Sequence, residues 1–126
     1  MATTARFTGA AGKDNTDRII FNDFQTPTYA ASIAIATKVH AANTIVQITL
    51  TGALTLTIGV GTSTTAPFIG DRVTFLIKSD ASIRVVTFST GFQPSGTLST
   101  VASKTVSADF MFDGTGWQEM GRAIQA

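Results

Sequence analysis

Few side chains in this sequence could take part in catalysis. Its 126 residues include one histidine, His40, and no cysteine. A Ser-His-Asp arrangement is assembled only by the fold, but no nucleophile elbow surrounds any serine. The absence of cysteine excludes disulfides, thiolate metal sites and cysteine nucleophiles together. We therefore predict that the protein is not an enzyme and has no catalytic residue.

The acidic residues do not form a pattern that indicates a metal or sugar-cleaving site. Glycosidases need two carboxylates facing each other across a cleft. Most carboxylates here lie beside Gly, Asn or Ser, where Asp accepts hydrogen bonds from turn amides. Asp14 to Asp17 begin like a calcium loop, but the required Gly and distal Glu are missing. Gly59–Gly61 and Gly114–Gly116 lack the helix start and Lys-Ser/Thr pair of a nucleotide site. We predict no metal and no cofactor.

The charge balance limits the classes of partner. Nine basic and eight acidic residues give a net charge of +1, without a run of either sign. Phosphate-backbone binding depends on clustered Lys and Arg, so we predict no nucleic-acid partner. No apolar window reaches the span of a membrane helix, and the N-terminus lacks a signal-peptide core. We expect Met1 to be the initiator of a small gene product made in a reducing cytoplasm, with no membrane partner.

The elements that must hold these residues are strands. Apolar residues alternate with polar ones at Thr44–Thr51, Leu54–Val60 and Arg72–Lys78, a period of two and not of 3.6. Turn residues recur about every ten positions. This spacing predicts an all-β fold, an antiparallel β-sandwich or barrel-like roll of about seven to nine strands with an extended N-terminal arm. We also predict a strand at Tyr29–Thr37 and a hairpin over Arg72–Ser89.

The C-terminal stretch Val106–Arg122 has the pattern of a closing β-hairpin. Asp113 and Gly114 begin a tight reversal that leads into a strand with the only tryptophan, Trp117. Depending on the centre of the turn, Trp117 faces Phe112 or Phe110, and both registers put all three aromatic residues on one side. Glu119 shares this side. Because a buried carboxylate needs a partner, we expect it to lie at the rim or to meet an arginine, with Arg72 and Arg84 as candidates.

Two regions follow from these patterns. We predict that residues 1–26 form an N-terminal arm and first edge strand, and that residues 27–126 form a single β-sandwich domain. The arm is small and polar around Arg6 and Phe7, a composition that rarely packs by itself. A functional hypothesis is that its apolar and basic residues order on a partner; these residues are Arg6, Phe7, Arg18, Ile19, Ile20, Phe21 and Phe24.

The run from Gly70 to Arg122 resembles a β-domain of tailed-bacteriophage virion proteins, found in capsid cement proteins and in parts of tail fibres and spikes. In those chains a Gly-Asp turn leads into an apolar strand, and a Thr/Ser-rich loop precedes an ending of Phe, Asp-Gly-Thr, Trp and Arg. The residues that match are Gly70, Asp71, Gly91, Phe92, Lys104, Phe110, Phe112 to Thr115, Trp117, Glu119 and Arg122.

The resemblance implies a structural protein of the virion. The leading expectation is a capsid decoration, or cement, protein on the outer capsid surface that binds the major capsid protein and copies of itself. Symmetry sites on a shell favour a trimer first and a dimer second. The alternative is a tail-fibre or receptor-binding domain that recognises carbohydrate through Tyr29, Phe92 or Trp117. A polysaccharide hydrolase is a third reading, which requires a cleft with paired carboxylates.

Overall fold

The computed structural model describes residues 21–38, 41–61, 66–93 and 96–124, and within these ranges the secondary structure consists of strands without a helix. The prediction of an all-β body is confirmed. The described residues form ten strands, more than predicted: β1 (Phe21–Gln25), β2 (Ser32–Ile35), β3 (Ala41–Leu50), β4 (Leu54–Ile58), β5 (Arg72–Ser79), β6 (Val85–Phe88), β7 (Phe92–Gln93), β8 (Gly96–Ser99), β9 (Thr105–Phe112) and β10 (Trp117–Ile124).

Two sheets form the body. The large sheet has six strands in the order β1-β3-β5-β9-β10-β7, and the small sheet has four in the order β2-β4-β6-β8. The first six strands alternate between the sheets: β1, β3 and β5 lie in the large sheet, and β2, β4 and β6 lie in the small sheet. Each time the chain comes back to a sheet, the new strand pairs in parallel with the previous strand of that sheet. Antiparallel pairing begins only with β8, β9 and β10.

The predicted antiparallel pairing is therefore wrong for the first six strands, and so is the hairpin predicted over Arg72–Ser89. β5 lies in the large sheet and β6 in the small one. The residues between them cross from one sheet to the other, held by an Asp80–Arg84 ion pair of 2.7 Å and by the Ser79 hydroxyl, which donates to the Ser82 carbonyl. Turn residues such as Ser79–Ser82 occur both in hairpins and in connections between two sheets. Alternation of apolar residues identifies a strand, but it does not identify the strand with which it pairs.

The core lies between the sheets and is rich in aromatic rings. Phe75 and Phe110 of the large sheet meet Phe88 of the small sheet and Phe92 of β7, with ring centroids 4.8 to 6.0 Å apart. Tilted and edge-on contacts at these distances suit the charge distribution of aromatic rings. The alternating inward side chains of both sheets are thus joined into a single buried cluster.

The closing hairpin has the register in which Trp117 faces Phe112. Trp117 is fully buried, its ring centroid lies 5.3 Å from that of Phe112, and its indole N–H donates to the Gly59 carbonyl at 3.2 Å. Phe110, Phe112 and Trp117 share the inner side, as predicted. Gly114 adopts a φ of 106°, a left-handed conformation that other residues rarely take.

β1 is an edge strand of the large sheet. β1, β3 and β5 begin, and β9 ends, at one end of this sheet, because Asn22 pairs with Asn43, Asn43 with Arg72, and Arg72 with Met111. We call this the hairpin end, since the 113–116 turn lies there. The boundary proposed at residue 26 stays a prediction, because residues 1–20 lie outside the described part of the chain.

Candidate functional site

The residues predicted to bind a partner are only partly placed. Arg6, Phe7, Arg18, Ile19 and Ile20 lie outside the described residues. The backbone of Phe21 opens β1 opposite Ala41, and Phe24 follows in the same strand opposite Ile45. The side chain of Phe24 is 59% exposed. Of the seven predicted residues, Phe24 is thus the one whose side chain the structure presents at the surface.

Phe24 lies on the outer face of the large sheet. Paired strands place it in a row with Ile45, Thr74 and Asp109, whose carboxylate accepts a hydrogen bond from the Thr74 hydroxyl. The adjacent row contains Leu76 and Ser107, which help to line a shallow depression of about 360 Å³ near Ala123. We call this surface the large-sheet face. It combines exposed apolar groups with hydrogen-bonding ones, the usual composition of a protein contact surface.

The outer face of the small sheet has a different composition. Ser32, Thr55, Thr87 and Thr97 form one row across its four strands. Adjacent strands lie about 4.8 Å apart, so hydroxyls repeat at that interval. Side chains of this row are exposed or half-buried and carry no charge. We call this surface the small-sheet face.

A pocket opens at the hairpin end. Its volume is about 390 Å³, and its lining residues are Ala66, Pro67, Phe68, Ile69, Phe112 and Gly114. The Gly70 amide donates to the Phe112 carbonyl at 2.9 Å, which fixes the 66–70 segment beside the closing hairpin. Ile69 projects from this segment and is 75% exposed. We call this cavity the hairpin-end pocket.

Asp113 precedes Gly114, one of the residues that line this pocket. Its carboxylate accepts hydrogen bonds from the Thr115 and Gly116 amides, both at 2.9 Å, and from the side chains of Thr115 and Gln118. The two backbone amides, followed by Gln118, hold the pKa of Asp113 well below its usual range. The turn next to the pocket therefore carries a negative charge at neutral pH.

A buried carboxylate lies on the inner side of β1. Asp23 is 7% exposed and accepts from Gln25 Nε2 at 2.9 Å, while Lys38 Nζ lies 3.2 Å away. The hydrogen bond from Gln25, followed by the bond and charge of Lys38, lowers the pKa of Asp23 despite its burial. Its neighbour across the strands, Thr44, has a buried hydroxyl without a hydrogen-bond partner. An inward-pointing charge on an edge strand discourages pairing with another chain.

Glu119 meets an arginine, which was one of the two predicted alternatives, but neither candidate arginine is its partner. Its carboxylate is paired with Arg122, with N–O distances of 2.6 and 2.8 Å, and not with Arg72 or Arg84. A β-bulge between Glu119 and Gly121 adds one residue to β10, so that Arg122 returns to the side of Glu119. Arg122 also donates to the Thr97 carbonyl of β8 at 3.1 Å. It therefore links the two sheets at the edge opposite β1.

The aromatic platform proposed for carbohydrate is not available as predicted. Phe92 is 4% exposed and Trp117 is fully buried, so neither can stack on a sugar. Tyr29 is half-buried, and its hydroxyl donates to the Ala53 carbonyl at 2.7 Å. Trp117 belongs to the hydrophobic core.

The chemistry-bearing residues of the sequence are not brought together in the described ranges. No group of three or more His, Cys, Asp or Glu side chains there is arranged to hold a metal ion. His40 and the Asp14–Asp17 segment lie outside the described residues. The hairpin-end pocket and the small-sheet face were missed by sequence reasoning, because both combine residues that are far apart in the sequence. The exposed Ile69 beside a Gly-Asp turn was the only local signal of the pocket.

Comparison with known proteins gives no family for this chain. No protein-family model matches it, and no curated protein is significantly similar to it in sequence. Across the described residues there is no helix with the length and apolar content needed to cross a membrane.

Proposed function

We propose that this protein is a structural component of a phage virion, a decoration protein that binds the outside of the shell and joins neighbouring major capsid subunits. The observation that carries the proposal is the large-sheet face, where Phe24 is exposed beside Ile45 on a well-packed β body. Because the backbone of a sheet is already ordered, binding through such a surface has a small backbone ordering cost. The resemblance of Gly70–Arg122 to virion β-domains supports the same class.

A modest contact surface is sufficient for a protein that decorates a shell. A shell offers many equivalent sites, so a modest contact repeated by several copies gives a large total free energy of binding. The chain segment before β1 joins the large sheet at Phe21, three residues from Phe24, so its residues are candidates for the same contact. Partners in this proposal are the major capsid protein and further copies of the chain, in a trimer first and a dimer second.

Binding to shells tests this function. Empty expanded shells assembled from the major capsid protein of the same genome are mixed with the full chain and sedimented. We expect saturable co-sedimentation and a higher disruption temperature of the decorated shells. Chain that stays in the supernatant at every concentration would contradict the proposal. Unexpanded shells are the matched control, because a cement protein distinguishes the two lattices.

A tail-fibre or receptor-binding domain is the second candidate. The small-sheet face is the feature that supports it, since an uncharged row of hydroxyls can hydrogen-bond a neutral glycan. Individual bonds of this kind compete with water and contribute little each. Binding on a glycan array that Thr55→Val abolishes, without loss of folding, would favour this candidate over decoration.

A further inference from the structure

We propose that the hairpin-end pocket of one copy receives Phe7 of a neighbouring copy, with Arg6 of that neighbour placed against Asp113. This inference rests on the proposed function, because it requires several copies side by side, and it names the contact that joins them. It commits to one occupant, the segment that precedes β1.

The position of that segment is suitable. Residues 1–20 join β1 at Phe21, at the same end of the large sheet as the pocket. The pocket lies over β5 and β9, two to three strand positions from β1, which is about 10–15 Å. Fourteen residue steps separate Phe7 from Phe21 in the sequence. A chain of that length reaches about 45 Å when extended.

The reach exceeds the size of the body. A folded chain of this length has a radius of gyration of about 14 Å. The segment can therefore pass the edge of its own large sheet and meet the hairpin end of an adjacent copy. Each chain then offers one donor segment and one acceptor pocket at different places on its surface. Such a head-to-tail contact gives a closed ring, as in a trimer, when the rotation between neighbouring copies closes.

The chemistry of the pocket matches the dipeptide Arg6-Phe7. Phe7 is the only aromatic residue among residues 1–20, and the pocket has room for one phenyl ring against Ile69 and Phe112. Docking there covers Ile69, a large apolar side chain left 75% exposed. Asp113 Oδ2 accepts from Gln118 and retains capacity for a guanidinium donor.

Disulfide trapping tests the contact in the full chain. The sequence has no cysteine, so a disulfide can form only between introduced residues. Phe7→Cys chains and Ile69→Cys chains of different mass are mixed, with and without shells, and oxidised gently. We expect the mixed disulfide to be the main product. Ile83→Cys is the matched control acceptor, because Ile83 is also exposed, at 67%, but lies at the opposite end of the body.

Two results would overturn the inference. One is equal trapping with Ile69→Cys and Ile83→Cys, or no trapping with either. The other is an internal disulfide in the monomeric double variant Phe7→Cys/Ile69→Cys, which would place the segment on its own pocket. As a second readout, Phe7→Ala and Ile69→Asp should each weaken self-association about tenfold, which corresponds to about 1.4 kcal/mol, whereas Ile83→Asp should not.

The two proposals fail separately. If the trapping fails while the chain still co-sediments with shells, decoration stands and this contact is wrong. If the mixed disulfide forms but no shell binding is found, the contact between copies stands and the capsid assignment is wrong.

Discussion

Glu119 and Arg122 form a bidentate ion pair across the β-bulge in β10, with N–O distances of 2.6 and 2.8 Å. In a regular strand, residues three apart point to opposite faces. The added residue at the bulge brings both side chains to the inner side of the large sheet, and Arg122 then reaches the Thr97 carbonyl of the small sheet. The pair therefore connects β10 of the large sheet to β8, an edge strand of the small sheet.

Arg122→Ala should lower the free energy of unfolding by about 0.5–1 kcal/mol, because a partly exposed ion pair and one hydrogen bond between the sheets are lost. Chemical denaturation measures the change. Arg72→Ala, at an exposed arginine in β5, is the control and should leave stability nearly unchanged. Equal losses in the two variants would show that the bridge between the sheets adds nothing.

Trp117→Phe should destabilise the fold by about 1–3 kcal/mol. The substitution removes the indole donor to the Gly59 carbonyl and leaves part of a fully buried volume empty. Thermal and denaturant unfolding report the loss. Phe24→Leu, at an exposed aromatic residue, should stay within about 0.5 kcal/mol of the parent. A neutral Trp117→Phe variant would contradict the assignment of this ring to the core.

Thr44→Val should leave the protein as stable or stabilise it by about 1 kcal/mol. The two side chains have nearly the same shape, and the change removes a buried hydroxyl without a partner. Thr57→Val on the small-sheet face is the control and should have little effect. If Thr44→Val costs 1 kcal/mol or more, the hydroxyl has a partner in solution.

The pH dependence of stability should include a contribution from Asp23. Gln25 and Lys38 lower the pKa of this carboxyl in the folded state below its unfolded value of about 3.9. Its stabilising effect is therefore complete above that value and is lost as the pH falls through the folded pKa. Unfolding at pH 6 and pH 3 should show a smaller acid loss for Asp23→Asn than for the parent. The same acid loss in both would remove Asp23 from this role.

Local patterns in the sequence predicted the strands well. Alternation at Thr44–Thr51, Leu54–Val60 and Arg72–Lys78 corresponds to β3, β4 and β5, because the period of a strand depends on neighbouring residues alone. The Asp113–Gly116 turn was also sufficient to predict its hairpin, since few residues other than glycine adopt the positive φ of Gly114.

The pairing of the strands was not predictable in the same way. Nothing in the alternation of β5 and β6 distinguishes neighbours in one sheet from strands facing each other across the core. The Glu119–Arg122 pair depends on the bulge in β10, because the extra residue changes which of the following side chains point inward. The hairpin-end pocket is lined by residues more than forty positions apart, Ile69 and Phe112. It forms only when the chain folds, so no local sequence pattern predicts it.

The large-sheet face is the central claim, and the affinity of Phe24→Asp for expanded shells tests it most directly. Burying one phenylalanine ring contributes about 1.5–3 kcal/mol, so the charged variant should bind at least about tenfold more weakly than the parent. Ser99→Asp, which puts the same charge on the exposed small-sheet face, should bind with the parent affinity. Full affinity of Phe24→Asp, or an equal loss in both variants, would contradict the assignment of this face to the shell.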